Sequence, residues 1–102
     1  MAKLVVLYKQ AADPAAFDRH YTATHIPLAK KIPGLLRYEV SDGVVSTPAG
    51  PAPYQLVASL EFESLGALQK GLGSPEGQAA AGDLANFAQA GAELLLFETK
   101  EV

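Results

Sequence analysis

Residues Leu4–Leu7 and Leu94–Phe97 are each an unbroken run of apolar side chains, and successive side chains on a strand point to opposite faces of its sheet. Leu4 and Val6 therefore face away from Val5 and Leu7, and Leu94 and Leu96 face away from Leu95 and Phe97. Each run needs cover on two sides. Helices packed on an antiparallel sheet supply one layer, while a face left in water normally alternates toward polar residues. Every other stretch of the chain is taken by another element, so nothing remains to form a second covering layer. A second copy of the same sheet is the cover this pattern predicts, and the chain is expected to form a homodimer.

The remaining elements follow from local signals. Lys3 to Lys9 reads as a strand, after which Asp13 as N-cap and Pro14 at the first helical position open a helix. Phe17, Tyr21, His25 and Leu28 mark one face of that helix, and Pro33-Gly34 ends it. Leu35 to Val45 alternates, with Leu36, Tyr38 and Val40 on one side and Leu35, Arg37, Glu39 and Ser41 on the other. Ser46 to Pro53 holds three prolines and a glycine, the composition of an exposed connection. Tyr54 to Glu63 sets Tyr54, Leu56, Ala58, Leu60 and Phe62 against Gln55, Val57, Ser59 and Glu61, completing a hairpin. Ser64 caps a short helix through Lys70, Gly71 and Gly73 interrupt, and Ser74-Pro75-Glu76 opens a second helix to about Ala88. Ala92 to Lys100 returns to strand character. The order β-α-β-β-α-β predicts one α+β domain over residues 1–102, a ferredoxin-like fold with an antiparallel sheet.

Composition narrows the function. Eight basic residues against eleven acidic ones, for a net charge of −3, argue against binding nucleic-acid phosphates. The chain has no cysteine, which removes disulfides, thiolate catalysis and cysteine-ligated metals. No apolar run approaches the ~20 residues that span a bilayer, and the first residues lack a signal-peptide pattern, so a cytoplasmic protein without membrane contact is expected.

The chemistry concentrates in Tyr21-x-x-x-His25-x-Pro27. Residues four apart share a helix face, so the Tyr21 phenol and the His25 imidazole meet the same space. Pro27 lacks an N–H and crowds the carbonyl of Ala23, which places His25 at a kink or helix end. The helix C-terminus favours imidazolium and burial favours imidazole; either way, His25 is placed to titrate near neutral pH as a general acid or base. A structural histidine beside a freed carbonyl is the plainer alternative. His20 lies about 100° around the helix from Tyr21 and is expected to face solvent. His20 and His25 are five apart, without the i, i+4 spacing of a helical zinc site, so no metal is expected. Asp83 and Asn86 read as a solvated face or a local cap, and Ser64 and Ser74 as caps. Arg37, Glu39, Gln55, Ser59 and Glu61 fall on the sheet face away from the helices. Of these, Arg37, Glu39 and Gln55 are candidate ligand-contacting residues in a space between paired sheets, beside Tyr21 and His25.

Leu7-Tyr8-Lys9, Phe17-Asp18-Arg19-His20-Tyr21, His25-Ile26-Pro27-Leu28, Ile32-Pro33-Gly34-Leu35 with Tyr38-Glu39-Val40, Ser74-Pro75-Glu76-Gly77-Gln78 and Asp83-Leu84-Ala85-Asn86-Phe87 together resemble the EthD family of the dimeric α/β-barrel superfamily. His20 departs from the pattern, since members often carry a second tyrosine there. The resemblance implies ferredoxin-like subunits paired sheet to sheet around a cavity, as a homodimer. It also implies a small hydrophobic, cyclic or aromatic ligand and no cofactor. The family takes its name from ethyl tert-butyl ether degradation, in which this component's own reaction is undefined. What the resemblance leaves open is cofactor-independent chemistry (isomerisation, dehydration, decarboxylation or oxygenation), with His25 as acid/base and Tyr21 as its partner. The alternatives are a non-catalytic carrier for a partner oxidase and a purely structural dimer.

Overall fold

The computed structural model describes residues 1–102. Strand β1 (Ala2–Lys9) leads to α1 (Pro14–His20), a π-helical turn (Tyr21–His25) and α2 (Ile26–Ala29). Strand β2 (Arg37–Val40), a small β3–β4 ribbon (Ser46–Thr47 and Gly50–Pro51) and β5 (Tyr54–Phe62) come next, then α3 (Leu65–Gly73), α4 (Pro75–Phe87) and β6 (Ala92–Glu98). The main sheet runs β2-β5-β1-β6, every neighbouring pair antiparallel. This is the ferredoxin-like order expected from the sequence, and the fold is α+β. No helix is long and apolar enough to cross a membrane.

Three boundaries differ from the sequence reading. The second strand is only Arg37–Val40, because Gly43 takes a φ of +81° and turns the chain away. The proline-rich connection contains the β3–β4 ribbon. Gly71 and Gly73 do not interrupt α3, which runs through both; the break falls at Ser74, whose extended backbone caps α4 and whose hydroxyl accepts from the Gly77 N–H.

The register sorts the faces. Leu4, Val6 and Tyr8 of β1 pair with Leu60, Ala58 and Leu56 of β5 and with Leu96, Leu94 and Ala92 of β6, all toward the helices. Leu4, Val6, Tyr8, Ala58, Leu60 and Phe62 join Phe17, Tyr21, Ala29, Ile32 and Leu68 in the core. The helix layer covers β6 only in part. Leu94 and Leu96 on its inner side and Leu95 and Phe97 on its outer side are all 41–48 % exposed, so the apolar excess read from the sequence is concentrated on this edge strand.

Candidate functional site

The first helical layer does not end at His25. Proline at 27 can neither donate an N–H nor tolerate the carbonyl of Ala23 in an ordinary turn, and the chain answers with one wide turn instead of a break. The Ile26 N–H reaches back five residues to the Tyr21 carbonyl. That extra residue rotates the helix beyond it, so Ala29 and Ile32 are buried while Leu28 is only half-buried. Tyr21 and His25 remain on the buried side at the two ends of the turn.

His25 is 6 % exposed and bonded at both ring nitrogens. Its Nδ1 lies 3.0 Å from Asp83 Oδ2 and its Nε2 lies 3.4 Å from the Tyr8 hydroxyl. A carboxylate only accepts, so Nδ1 carries the proton and Nε2 presents a lone pair; the tautomer is assigned from this network. Asp83 sits on α4, 5 % exposed. Its Oδ1 accepts from Asn86 Nδ2 at 3.0 Å and from His20 Nε2 at 2.8 Å. Tyr21 and Tyr38 share a hydroxyl–hydroxyl bond. Phe87 packs against His20, His25, Tyr8, Phe17 and Tyr21.

His25, Tyr8, Tyr21 and Tyr38 line a cavity between the sheet and the helices of one chain, otherwise walled by apolar residues such as Leu4, Leu60, Ile32, Leu84 and Leu94. The cavity is open on one side and has a volume of about 50 Å³, within about 440 Å³ of non-atom space that takes in open solvent. No lysine, arginine, aspartate or glutamate lines it. The geometry therefore joins Tyr21 and His25 but separates them from Arg37, Glu39 and Gln55. Arg37 and Glu39 stand opposite Glu61 and Ser59, on the sheet face away from the helices. Gln55 accepts from Gln10 Nε2 at 2.8 Å at the end of the sheet.

Two sequence expectations are corrected. His20 is half-buried against Asp83, and Asp83 itself is buried, while Asn86 one turn on is exposed and bonds it locally. Asp83 belongs to the buried stripe Gly77, Ala80, Asp83, Phe87 of α4, and a carboxylate in a stripe of small and apolar residues at i, i+3 spacing is the signal that was available. Tyr8 and Tyr38 belong to the site as well. Both lie in strands on the helix-facing side, where a tyrosine is ordinarily core.

Burial lowers the affinity of His25 for a proton below the usual histidine range, although the Asp83 hydrogen bond and charge act against it. The neutral base is thus the resting form. Burial pushes the Asp83 carboxyl up, but the hydrogen bonds from Asn86, His20 and His25 outweigh it and hold the group below the usual carboxylate range. Tyr21 is pushed far up by burial, then by its bond to Tyr38, and Tyr8 and Tyr38 also rise, chiefly through burial. All three phenols remain protonated donors.

Both depressed groups bind protons more tightly in the unfolded chain, so their contribution to stability is present at high pH and lost on acidification. The urea midpoint is expected to hold above the ordinary histidine range and to fall as pH drops through about 6.5, where unfolded histidine protonates. A further fall accompanies Asp83 below the ordinary aspartate range. His25→Gln should flatten the first phase. A midpoint independent of pH between about 8 and 5 would contradict the neutral, buried His25.

The hydrogen-bonding residues of this site lie inside the segment that matches the EthD domain family, residues 9–91, except for Tyr8 one position before it. An uncharacterized 11.0 kDa protein from the thcB–thcC intergenic region of Rhodococcus erythropolis is 40 % identical over 104 residues, covering 100 % of this chain and 98 % of that one. An EthD family protein of Bacillus halodurans superposes with a TM-score of 0.90 at 36 % identity, covering 98 % of this chain and 99 % of its own. Two likenesses show the fold alone. SnoaB, a cofactor-independent oxygenase from Streptomyces nogalater, matches at TM-score 0.66 and 19 % identity over 99 % of this chain and 94 % of its own. A dimeric ferredoxin-like protein of unknown function from Thermobifida fusca matches at 0.69 and 14 %, over 96 % and 90 %. With a family match across most of its length and relatives more than a third identical over nearly all of it, this chain belongs to the EthD family.

Proposed function

We propose that the protein binds a small, uncharged, hydrophobic or cyclic molecule in the cavity between sheet and helices and carries out cofactor-independent acid–base chemistry on it. The observation that carries this reading is the Asp83–His25 pair at the wall of an apolar cavity, with Nε2 held only by the 3.4 Å contact to the Tyr8 hydroxyl. His25 takes a proton from an acidic C–H or O–H of the ligand, and Asp83 stabilises the imidazolium that forms. The hydrogen-bonded hydroxyls of Tyr21 and Tyr38 stand in the same cavity, where a phenol turned toward the ligand donates to the oxygen on which negative charge collects. Return of the proton to a different atom completes an isomerisation without electrons or a co-reactant. Arg37, Glu39 and Gln55 have no contact with this chemistry in a single chain.

The working unit is a homodimer in which the partner covers Leu95 and Phe97 together with Val5 and Leu7 of the same sheet face. That arrangement accounts for apolar side chains on a strand edge that the helices leave uncovered.

One set of measurements tests both parts. A native mass spectrum is expected at twice the 10.7 kDa chain mass, collapsing to the monomer in a Leu95→Glu, Phe97→Glu double variant. With 2-tetralone, a neutral ketone with acidic C–H bonds, wild type should catalyse exchange of those protons for deuterium, and His25→Ala should lose roughly 10²–10⁴-fold of that rate. Adduct without exchange would favour the carrier alternative, and neither adduct nor exchange would refute the ligand reading. A wild-type monomer would refute the dimer.

A further inference from the structure

Asp83 holds two imidazoles on one carboxylate, and only one of them faces the cavity. His20 Nε2 reaches both oxygens, at 2.8 and 3.0 Å, while His25 Nδ1 shares Oδ2 at 3.0 Å and Asn86 Nδ2 shares Oδ1 at 3.0 Å. Each oxygen thus accepts twice, and the carboxylate is fully engaged. Phe87 stacks on the His20 ring at 5.1 Å and tilts against the His25 ring at 4.8 Å. His20 is absent from the cavity wall. Its edge lines a separate groove of about 580 Å³ on the outer surface, beside Asp13, Asn86 and Gln89. His20 has 28 % of its side chain exposed against 7 % for His25. The polar groups facing the two rings are Asp83 from α4, Tyr8 from β1 and, one hydroxyl bond further, the Tyr21–Tyr38 pair from the π turn and β2. Asp13, whose carboxylate caps α1, is the one other charged group lining the outer groove.

We infer that His20 is a positioning residue that sets how strongly Asp83 holds a proton on His25, coupling the buried base to the outer groove. A proton on His20 turns its contact with Asp83 into an ion pair and cancels, at short range, the charge that would stabilise a proton on His25. A neutral His20 leaves that charge available and still fixes the plane of the carboxylate. His25 therefore holds a proton less tightly when His20 carries one. The functional consequence rests on His25 acting as the acid–base group, but the test needs no substrate.

The ring resonances of both histidines are followed by NMR through a pH titration in wild type, His20→Gln and His20→Phe. Glutamine keeps an N–H donor without titrating, and phenylalanine keeps the stack on Phe87 without a donor. In both variants the proton affinity of His25 is expected to rise at least about threefold, the size of a water-screened unit charge nearby. A His20→Gln curve for His25 that overlays the wild type would overturn the inference and leave His20 a purely structural contact. The glutamine variant decides the matter if the phenylalanine variant fails to fold. Absence of 2-tetralone exchange, by contrast, bears on the catalytic reading and leaves this coupling intact.

Discussion

Gly77→Ala is expected to cost the protein about 3 kcal/mol or more and to lower its melting temperature by about 15 °C or more. Gly77 is buried in the first turn of α4, where α3 and α4 meet at the Ser74 corner. A Cβ there would stand 2.2 Å from the Gly71 carbonyl oxygen and 2.6 Å from that of Leu72. Both are backbone atoms of α3, so relief requires the two helices to separate. The layer that closes over His25 and carries Asp83 would shift with them. Gly82→Ala provides the contrast within the same helix, since a Cβ at Gly82 meets nothing within 4 Å. There the gain in helix propensity should stabilise by about 0.5–1 kcal/mol. Thermal melts of the two variants, read by circular dichroism, should move in opposite directions. A Gly77→Ala protein that melts with the wild type would mean that the helix corner is looser than its geometry implies.

Substitutions of Asp83 separate its structural and chemical effects. Asp83→Ala strands the Nδ1–H of His25 in the interior and removes the acceptor of Asn86 and His20. Unsatisfied buried donors cost about 1–3 kcal/mol each, less where water reaches them. A loss of roughly 2–4 kcal/mol is expected, visible in the urea midpoint. Asp83→Asn keeps the shape. With its NH₂ toward His25, however, the imidazole must accept at Nδ1 and carry its proton on Nε2. The lone pair then leaves the cavity, and ketone proton exchange should fall about 10²–10⁴-fold. Nitrogen shifts of His25 report the tautomer without any substrate. An Asn variant that retains both the wild-type tautomer and full exchange would remove Asp83 from the mechanism.

The element order was legible because its signals are local. Asp13-Pro14, Ser64 and Ser74-Pro75 act within a few residues of themselves, and the apolar runs of β1 and β6 and the alternation in β5 are properties of each strand. The kink at Pro27 was legible in cause but not in form. Proline forbids one hydrogen bond, yet whether the helix ends or widens depends on what its later turns can bury, and Ala29 and Ile32 have a core to enter. The pairing of Tyr21 with His25 followed from spacing alone, and spacing is preserved across the wide turn.

The fold class, the helix face bearing Tyr21 and His25, and the apolar excess of the first and last strands all follow from local pattern. Which carboxylate serves His25 and where the cavity lies depend on long-range packing. Asp83 is 58 positions away along the chain, and no periodicity relates a residue of α4 to one of the first helical layer. Docking the two helices side by side over β1 brings them within hydrogen-bond distance. The same docking puts Tyr8 and Tyr38 on the helix side of the sheet with His25, and it leaves Arg37 and Glu39 behind the sheet, because a strand must point alternate side chains in opposite directions.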